Sequence, residues 1–298
     1  MNNGRPFVIL FLLLIGGPLF ADQERGDIEM LSIDARNAAK GGGAVFSTFG
    51  QFGDNPALGA VEQKFFVGSS YLFTESFSFA AADNKMGAFA GGLMYDRHNK
   101  LNTVKTNSAF QVVDWFMFGF NLKFLSGPFY PLQRKILSLT ADIGVLFNIK
   151  DIAYIGASFN DFVPIGDNLP MRVTGQCEFN LYERMFLLNI AGSYHIDHRE
   201  ESVPNRRPQA AYADFSTGFE FRYAWFSSQI GVHTSSFARD LTFDDLLKTV
   251  GVGFYKEREI KKNKKGEDEE EDGGGVYAGV YITRTFITFA VTFVWEPK

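Results

Sequence analysis

His195 and His198, with Asp197 between them, are the one place in the sequence where two imidazoles sit close enough to share a metal ion. A zinc centre needs three or four protein ligands, and no third ligand stands at metal spacing, so the segment reads as a polar loop and no metal is expected. His98 also falls in a loop, and His233 on the polar face of a strand. Cys177 is the single cysteine, which forbids an internal disulfide. In an apolar strand position it reads as a small hydrophobe rather than a nucleophile. No Gly-x-Ser-x-Gly elbow occurs, and the triple glycines Gly41, Gly42, Gly43 and Gly273, Gly274, Gly275 lack the lysine of a phosphate loop. No catalytic residue and no cofactor are expected, and the chain is not expected to be an enzyme.

The elements that must position any site are strands. In 137–149 one parity reads Leu137, Leu139, Ala141, Ile143, Val145, Phe147, Ile149, and the other Ser138, Thr140, Asp142, Gly144, Leu146, Asn148. The stretch 171–181 sets Met171, Val173, Cys177, Phe179 and Leu181 against Arg172, Thr174, Gln176, Glu178 and Asn180. In 213–223 and 287–295 the same alternation recurs, and period two is the mark of a strand with two unlike faces. Similar stretches lie at 65–73, 76–82, 86–95, 110–124, 152–160, 186–196, 226–234, 248–256 and 276–283, which makes about 13 candidates, mostly of the length that crosses a bilayer at a tilt.

Two architectures could use such strands. A soluble β-sandwich buries the apolar faces against each other, whereas a membrane barrel turns them to lipid and keeps polar side chains in the lumen. The barrel is favoured by strand length, by charges of both signs on the polar faces, and by aromatic apolar faces: Phe110, Phe116, Phe118, Phe120 and Phe124 share one parity, and Trp295, Tyr223 and Tyr281 lie near strand ends as an interfacial girdle would. A strand cannot leave an edge open in lipid, so the sheet must close. The fold expected is all-β, a closed antiparallel transmembrane β-barrel of 12 or 14 strands, since bacterial barrels are even-numbered.

Composition agrees. A mean hydropathy of -0.06 excludes a bundle of membrane helices, yet 16% of residues are aromatic and 33 are phenylalanine. The formal charge of -5 argues against nucleic acid as a partner. Arg5, the apolar run 7–15 and small residues up to Ala21 read as a secretory signal peptide over 1–21, too short for a comfortable membrane helix. The expected address is the outer membrane, with its lipid and, during insertion, the barrel-assembly machinery as partners.

Short connections near Lys150, Tyr182–Arg184 and Ala224 alternate with longer ones at 126–136, 161–170, 197–212 and 235–247, as periplasmic turns alternate with outer loops. The run 256–275, lysines followed by Glu267–Asp272 and three glycines, reads as a solvated loop. Counted back from a periplasmic C-terminus it falls on the periplasmic side, where loops are normally short.

Between signal and barrel, 22–61 differ in character. Within Asp27 to Ala44 the chain could form a short helix ending at the glycines, and Asn55-Pro56 is a turn device, because proline fixes φ and biases the preceding residue away from helix. The order Ala35-Arg-Asn-Ala-Ala-Lys-Gly-Gly-Gly-Ala44, then Asn55-Pro56-Ala57-Leu58, then strands to the end, resembles the FadL-type outer-membrane transporters of hydrophobic compounds and their type IX secretion relatives. The resemblance implies an N-terminal hatch over 22–61 inside a barrel of 62–298, with Asn55, Pro56 and Ala57 as hatch motif and Gly41, Gly42 and Gly43 as the turn before it. It further implies passive uptake of hydrophobic small molecules such as long-chain fatty acids. Read from the residues alone, Asn55-Pro56 serves either as an entry turn into the first strand or as part of a gate. A non-transporting scaffold, a secretion shuttle or adhesin-like surface protein using 197–212 and 257–275 as contact surfaces, is the alternative function.

Overall fold

The computed structural model describes residues 34–297 apart from 41, 43, 62–64, 73–75, 85–89, 99, 130–133, 164, 167–168, 170, 197–212, 235–245, 257–259, 263–267, 271 and 283–286. The segment 1–21, His198, Gly41, Gly43, loop 197–212 and most of the connection 235–247 therefore lie outside the described residues.

Fourteen strands form one barrel: β1 Phe65–Leu72, β2 Ser76–Asp83, β3 Ala90–His98, β4 Leu101–Val113, β5 Phe116–Phe129, β6 Arg134–Ile149 and β7 Ala153–Asn160. Then follow β8 Met171–Leu181, β9 Phe186–Ile196, β10 Ala213–Tyr223, β11 Phe226–Thr234, β12 Leu247–Lys256, β13 Gly273–Ile282 and β14 Ile287–Glu296. Each strand pairs antiparallel with its neighbours in sequence, and β1 closes on β14 through Val67↔Trp295 to Leu72↔Ala290. No helix among the described residues is long and apolar enough to cross a membrane; the strands do the crossing, and closure leaves no unpaired edge.

Burial is inverted relative to a soluble protein. Asn121, Asp142, Glu178, Asn189 and Glu220 are at most 1% exposed, while Phe79, Leu137, Ile230 and Trp295 are more than half exposed. The outward parity of the strands is apolar and the inward parity is polar over much of the wall, which rules out the sandwich and assigns most of the phenylalanine excess to the lipid face.

Three expectations need correction. The stretch 110–124 is a hairpin of two strands, β4 and β5, turning at Asp114-Trp115, with Phe110 opposite Phe118. That raises the candidate count from 13 to 14. The gap expected over 126–136 shrinks to 130–133, because β5 and β6 run on beyond bilayer length. Tyr281 is fully buried and faces the lumen, so it belongs to no girdle, whereas Tyr223 and Trp295 do face outward.

Antiparallel order places both barrel ends on the side of the tight turns, which is the periplasmic side. These turns hold Lys150, Asp151, Tyr182, Glu183, Arg184 and Ala224 at positive φ, and Asn148 closes one by exchanging hydrogen bonds with the Asp151 amide and carboxylate, both at 2.8 Å. The charged run 257–272 stays on this side. It is not wholly loop: Ile260–Lys262 pairs antiparallel with Asp268–Glu270.

Candidate functional site: the barrel lumen

The segment 34–61 lies inside the barrel. It contains helix α1 Ala35–Ala39, helix α2 Gly50–Gly53 and a 3-10 turn Pro56–Ala60. Asp34 ties it together: one carboxylate oxygen accepts the Arg36 amide at 3.0 Å, as an N-cap does, and the other accepts the Thr48 and Phe49 amides at 2.6 and 2.9 Å. Asn37 bridges the same layers, accepting from the Ala44 amide and donating to Asp54 at 2.6 Å. Gly42, at φ 94°, ends the first turn by donating to the Asn37 carbonyl, a left-handed position suited to glycine.

Charge fixes one end to the wall. The Lys40 ammonium, fully buried, lies 3.2 Å from both Glu178 of β8 and Glu220 of β10 and donates to the Phe46 carbonyl at 2.8 Å. Glu178 also accepts the Val45 and Phe46 amides. Arg36 and Arg222 reach Glu220 at 3.2 and 3.1 Å, so two carboxylates face three cations in a closed network. Buried charges persist only when paired and hydrogen-bonded in this way. Phe46 is gripped by the guanidinium groups of Arg184 and Arg222, 5.2 and 5.7 Å from its ring, and by an edge contact from Tyr154.

Asn-Pro-Ala fixes the other end. The Asn55 side chain accepts from the Ala57 amide at 3.0 Å, capping the 3-10 turn, and donates to the Val145 and Ala157 carbonyls of β6 and β7 at 3.0 and 3.3 Å. It is therefore more than an entry turn: its amide reads the wall. The approach depends on glycine. A Cβ on Gly144 would lie 2.0 Å from the Asn55 amide oxygen, and one on Gly119 2.4 Å from the Pro56 backbone. Pro56 and Ala57 are buried in the lumen. On the far wall Gly218 faces the Lys40 carbonyl and Gly251 the Ala39 methyl, each leaving room for no side chain.

Among the expected site residues, Gly42, Asn55, Pro56 and Ala57 are thus placed in one lumenal segment; Gly41 and Gly43 lie outside the described residues. The sequence reading missed Lys40, Asp34, Asp54 and the wall glycines, and left Glu178 and Glu220 as lumenal charges without partners. An acid on the polar parity of two strands, awaiting a cation, was the available signal. No group of three His, Cys, Asp or Glu among the described residues is arranged to hold a metal.

The lumen wall is two-sided. On β4–β10 it is polar, with Asn107, Asn121, Gln176 and Asn189 buried and Lys123 clamped by Asp142 and Asp161 at 2.7 and 2.6 Å. On β12–β14 and β1–β3 an apolar stripe runs from Leu72, Leu247 and Tyr281 at the outer end to Phe66 and Val294 at the periplasmic end, with Met94 between them. Small hydroxyls such as Ser70 and Thr292 interrupt it. Phe49 and Phe52 of the inner segment lie against this stripe, Phe49 stacked on Phe66 at 6.3 Å.

Solved structures share this arrangement of strands. The chain matches the toluene transporter TbuX of Ralstonia pickettii with a TM-score of 0.57 at 13% identity, over 90% of this chain and 98% of that one. The CymD monoaromatic hydrocarbon channel gives 0.58 at 10% identity, over 90% and 97%. The fold is that of the FadL-type channels. A toluene transporter of P. putida, TodX, gives 0.55 at 9% identity over 91% and 99%. At such identities the likeness to FadL-type channels is one of fold, and no protein-family model and no curated protein sequence matches the chain. The closed 14-strand FadL-type barrel with its lipid-facing apolar parity is a multi-pass protein of the outer membrane.

Proposed function

We propose that the protein is a passive channel for hydrophobic small molecules across the outer membrane, with 34–61 as the hatch that obstructs its lumen. The observation that carries the reading is the lumenal division: a polar wall that anchors the inner segment and, opposite, an apolar stripe spanning the height of the barrel. A greasy solute gains contact along the stripe while the filled polar side offers ions no open path. The bound solute undergoes no chemistry; the reading is of a conduit and not an enzyme.

Long-chain fatty acids follow from the family resemblance, and monoaromatic hydrocarbons are the cargo named for TbuX, TodX and CymD. The Arg36 guanidinium, 5.3 Å over the ring of Tyr277 in the stripe, is already held by Glu220, which favours an uncharged cargo over a carboxylate. The test is uptake into proteoliposomes of radiolabelled toluene and of oleate, with the empty bilayer as reference. Accelerated toluene flux supports the proposal, oleate flux alone shifts the cargo to fatty acids, and acceleration of neither returns the protein to the scaffold reading.

A further inference from the structure

Two buried polar atoms beside the apolar stripe find no partner among the described residues. Across β14, β1, β2 and β3 one inward row of the sheet runs Thr292↔Ser70↔Ser78↔Asp96. Ser70 and Thr292 bond each other at 2.7 Å, and Thr292 also accepts the Ala35 amide of the inner segment at 2.8 Å. Ser78 and Asp96, the next two in the row, are 0% and 9% exposed, yet Ser78 Oγ and Asp96 Oδ1 have no hydrogen-bond partner among the described residues. Buried polar groups in folded proteins are nearly always paired. Two orphans facing each other across neighbouring strands therefore mark a place for something that brings its own hydrogen bond.

We infer that Ser78 and Asp96 bind the hydroxyl of an uncharged cargo with an apolar body, a phenol or an alcohol; the inference rests on the channel reading and narrows its cargo class. Directly opposed residues of antiparallel strands hold their Cβ atoms about 4.5–5.5 Å apart, near enough for one hydroxyl to bridge the two side chains. Its hydrogen goes to Asp96 Oδ1, and its oxygen accepts from Ser78 Oγ. The bond to the carboxylate is of the stronger, charge-assisted kind. The apolar body lies on Met94 and Ala80, the opposed pair one inward step toward the periplasm, both buried in the stripe. Lys105 donates to the other Asp96 oxygen at 3.4 Å, so the spot carries both signs: a cargo carboxylate would face Asp96, and a cargo ammonium Lys105. The Asp96 and Lys105 side chains keep 13% and 15% exposure toward the outer ends of β3 and β4, where cargo enters. A hydrocarbon offers these atoms nothing and passes over them.

Equilibrium dialysis of the full-length barrel in detergent against radiolabelled p-cresol and p-xylene, with protein-free micelles as reference, tests this. The two ligands differ only in a hydroxyl replaced by a methyl. The expected result is p-cresol bound about tenfold more tightly, as the charge-assisted bond implies. Ser78→Ala, and separately Asp96→Leu with Lys105→Met, which removes the ion pair as a unit, should bring the two ligands level while the folded band on unheated gels persists. Equal binding of both ligands by the unaltered protein, binding of neither, or a preference that survives Ser78→Ala would overturn the inference. Should the double variant fail to fold, Ser78→Ala decides alone. Toluene flux into proteoliposomes from the same preparation separates this inference from the reading beneath it: flux without a p-cresol preference overturns the hydroxyl site alone, and absence of both overturns the channel as well.

Discussion

The Asn55 amide donates to the Val145 carbonyl at 3.0 Å from the space that a side chain on Gly144 would fill. A residue of the inner segment and a residue of the wall are therefore matched by one lacking what the other needs room for. Gly144→Ala should loosen the segment by about the worth of the lost hydrogen bonds and the buried groups left unpaired, roughly 1–3 kcal/mol. Single-channel recording in a planar bilayer is the measurement, and the expected outcome is frequent leak events with the barrel still heat-modifiable. Asn55→Ala should behave alike, and a silent Gly144→Ala would show that Asn55 does not hold the segment.

Lys40→Met leaves Glu178 and Glu220 buried with less compensation. Removing one partner of a buried ion network costs about 3–5 kcal/mol. The expected effect is release of the segment, read as protease cleavage within 34–61 that the unaltered protein resists. Lys40→Met combined with Glu178→Gln should recover part of the protection, since Glu220 keeps Arg36 and Arg222 as partners and no carboxylate is left without a cation.

Asp54 supplies a pH dependence. Burial pushes its carboxyl up from 3.8 to about 6, partly opposed by Arg172 and by the hydrogen bond from Asn37, and reinforced by Asp34. In the docked segment this group holds its proton more tightly than in a released one. Its contribution is therefore fully present below about pH 3.8 and is lost as pH rises through about 6. Protease protection of the segment should be greater at pH 5 than at pH 7.5, and Asp54→Asn should flatten that difference. An identical pH response in Asp54→Asn would assign it to other groups.

Removing the segment altogether tests its role as hatch. Deletion of 22–60 should leave a folded barrel, because the strand ladder closes through β1 and β14 without it, and should raise ion conductance. Unchanged conductance would mean that another part of the chain closes the lumen.

A charge placed in the apolar stripe tests the route. Met94→Glu puts a carboxylate among Phe52, Phe66 and Leu72, where an unpaired charge is strongly disfavoured. Uptake of hydrophobic cargo should fall by roughly tenfold, whereas Leu93→Gln on the outward face of the same strand should leave it near the original rate. Equal effects from both would remove the stripe as the path.

Much of the barrel was legible because period-two alternation is a local property. The faces of 137–149, 171–181 and 213–223 could be read residue by residue, and Asp142, Glu178 and Glu220, each on the polar parity, are buried in the lumen. The hairpin at Asp114-Trp115 was not legible, since neither residue signals a turn as glycine or proline does and the pairing Phe110↔Phe118 keeps both phenylalanines on one parity, so alternation passes through the turn unbroken. Tyr281 was misread because its strand is apolar on both faces, Val280 and Ile282 outward, Tyr277 and Tyr281 inward.

The sequence by itself determined that the chain is a membrane barrel and which face of most strands meets lipid, because these follow from neighbour-to-neighbour chemistry along the chain. Tertiary structure alone decided that Lys40 would meet Glu178 and Glu220, that Asn55 would reach Val145 across Gly144, and that the lumen would be apolar on one wall and polar on the other. Those contacts join residues 90 to 180 positions apart, and closure of the sheet is what brings them together.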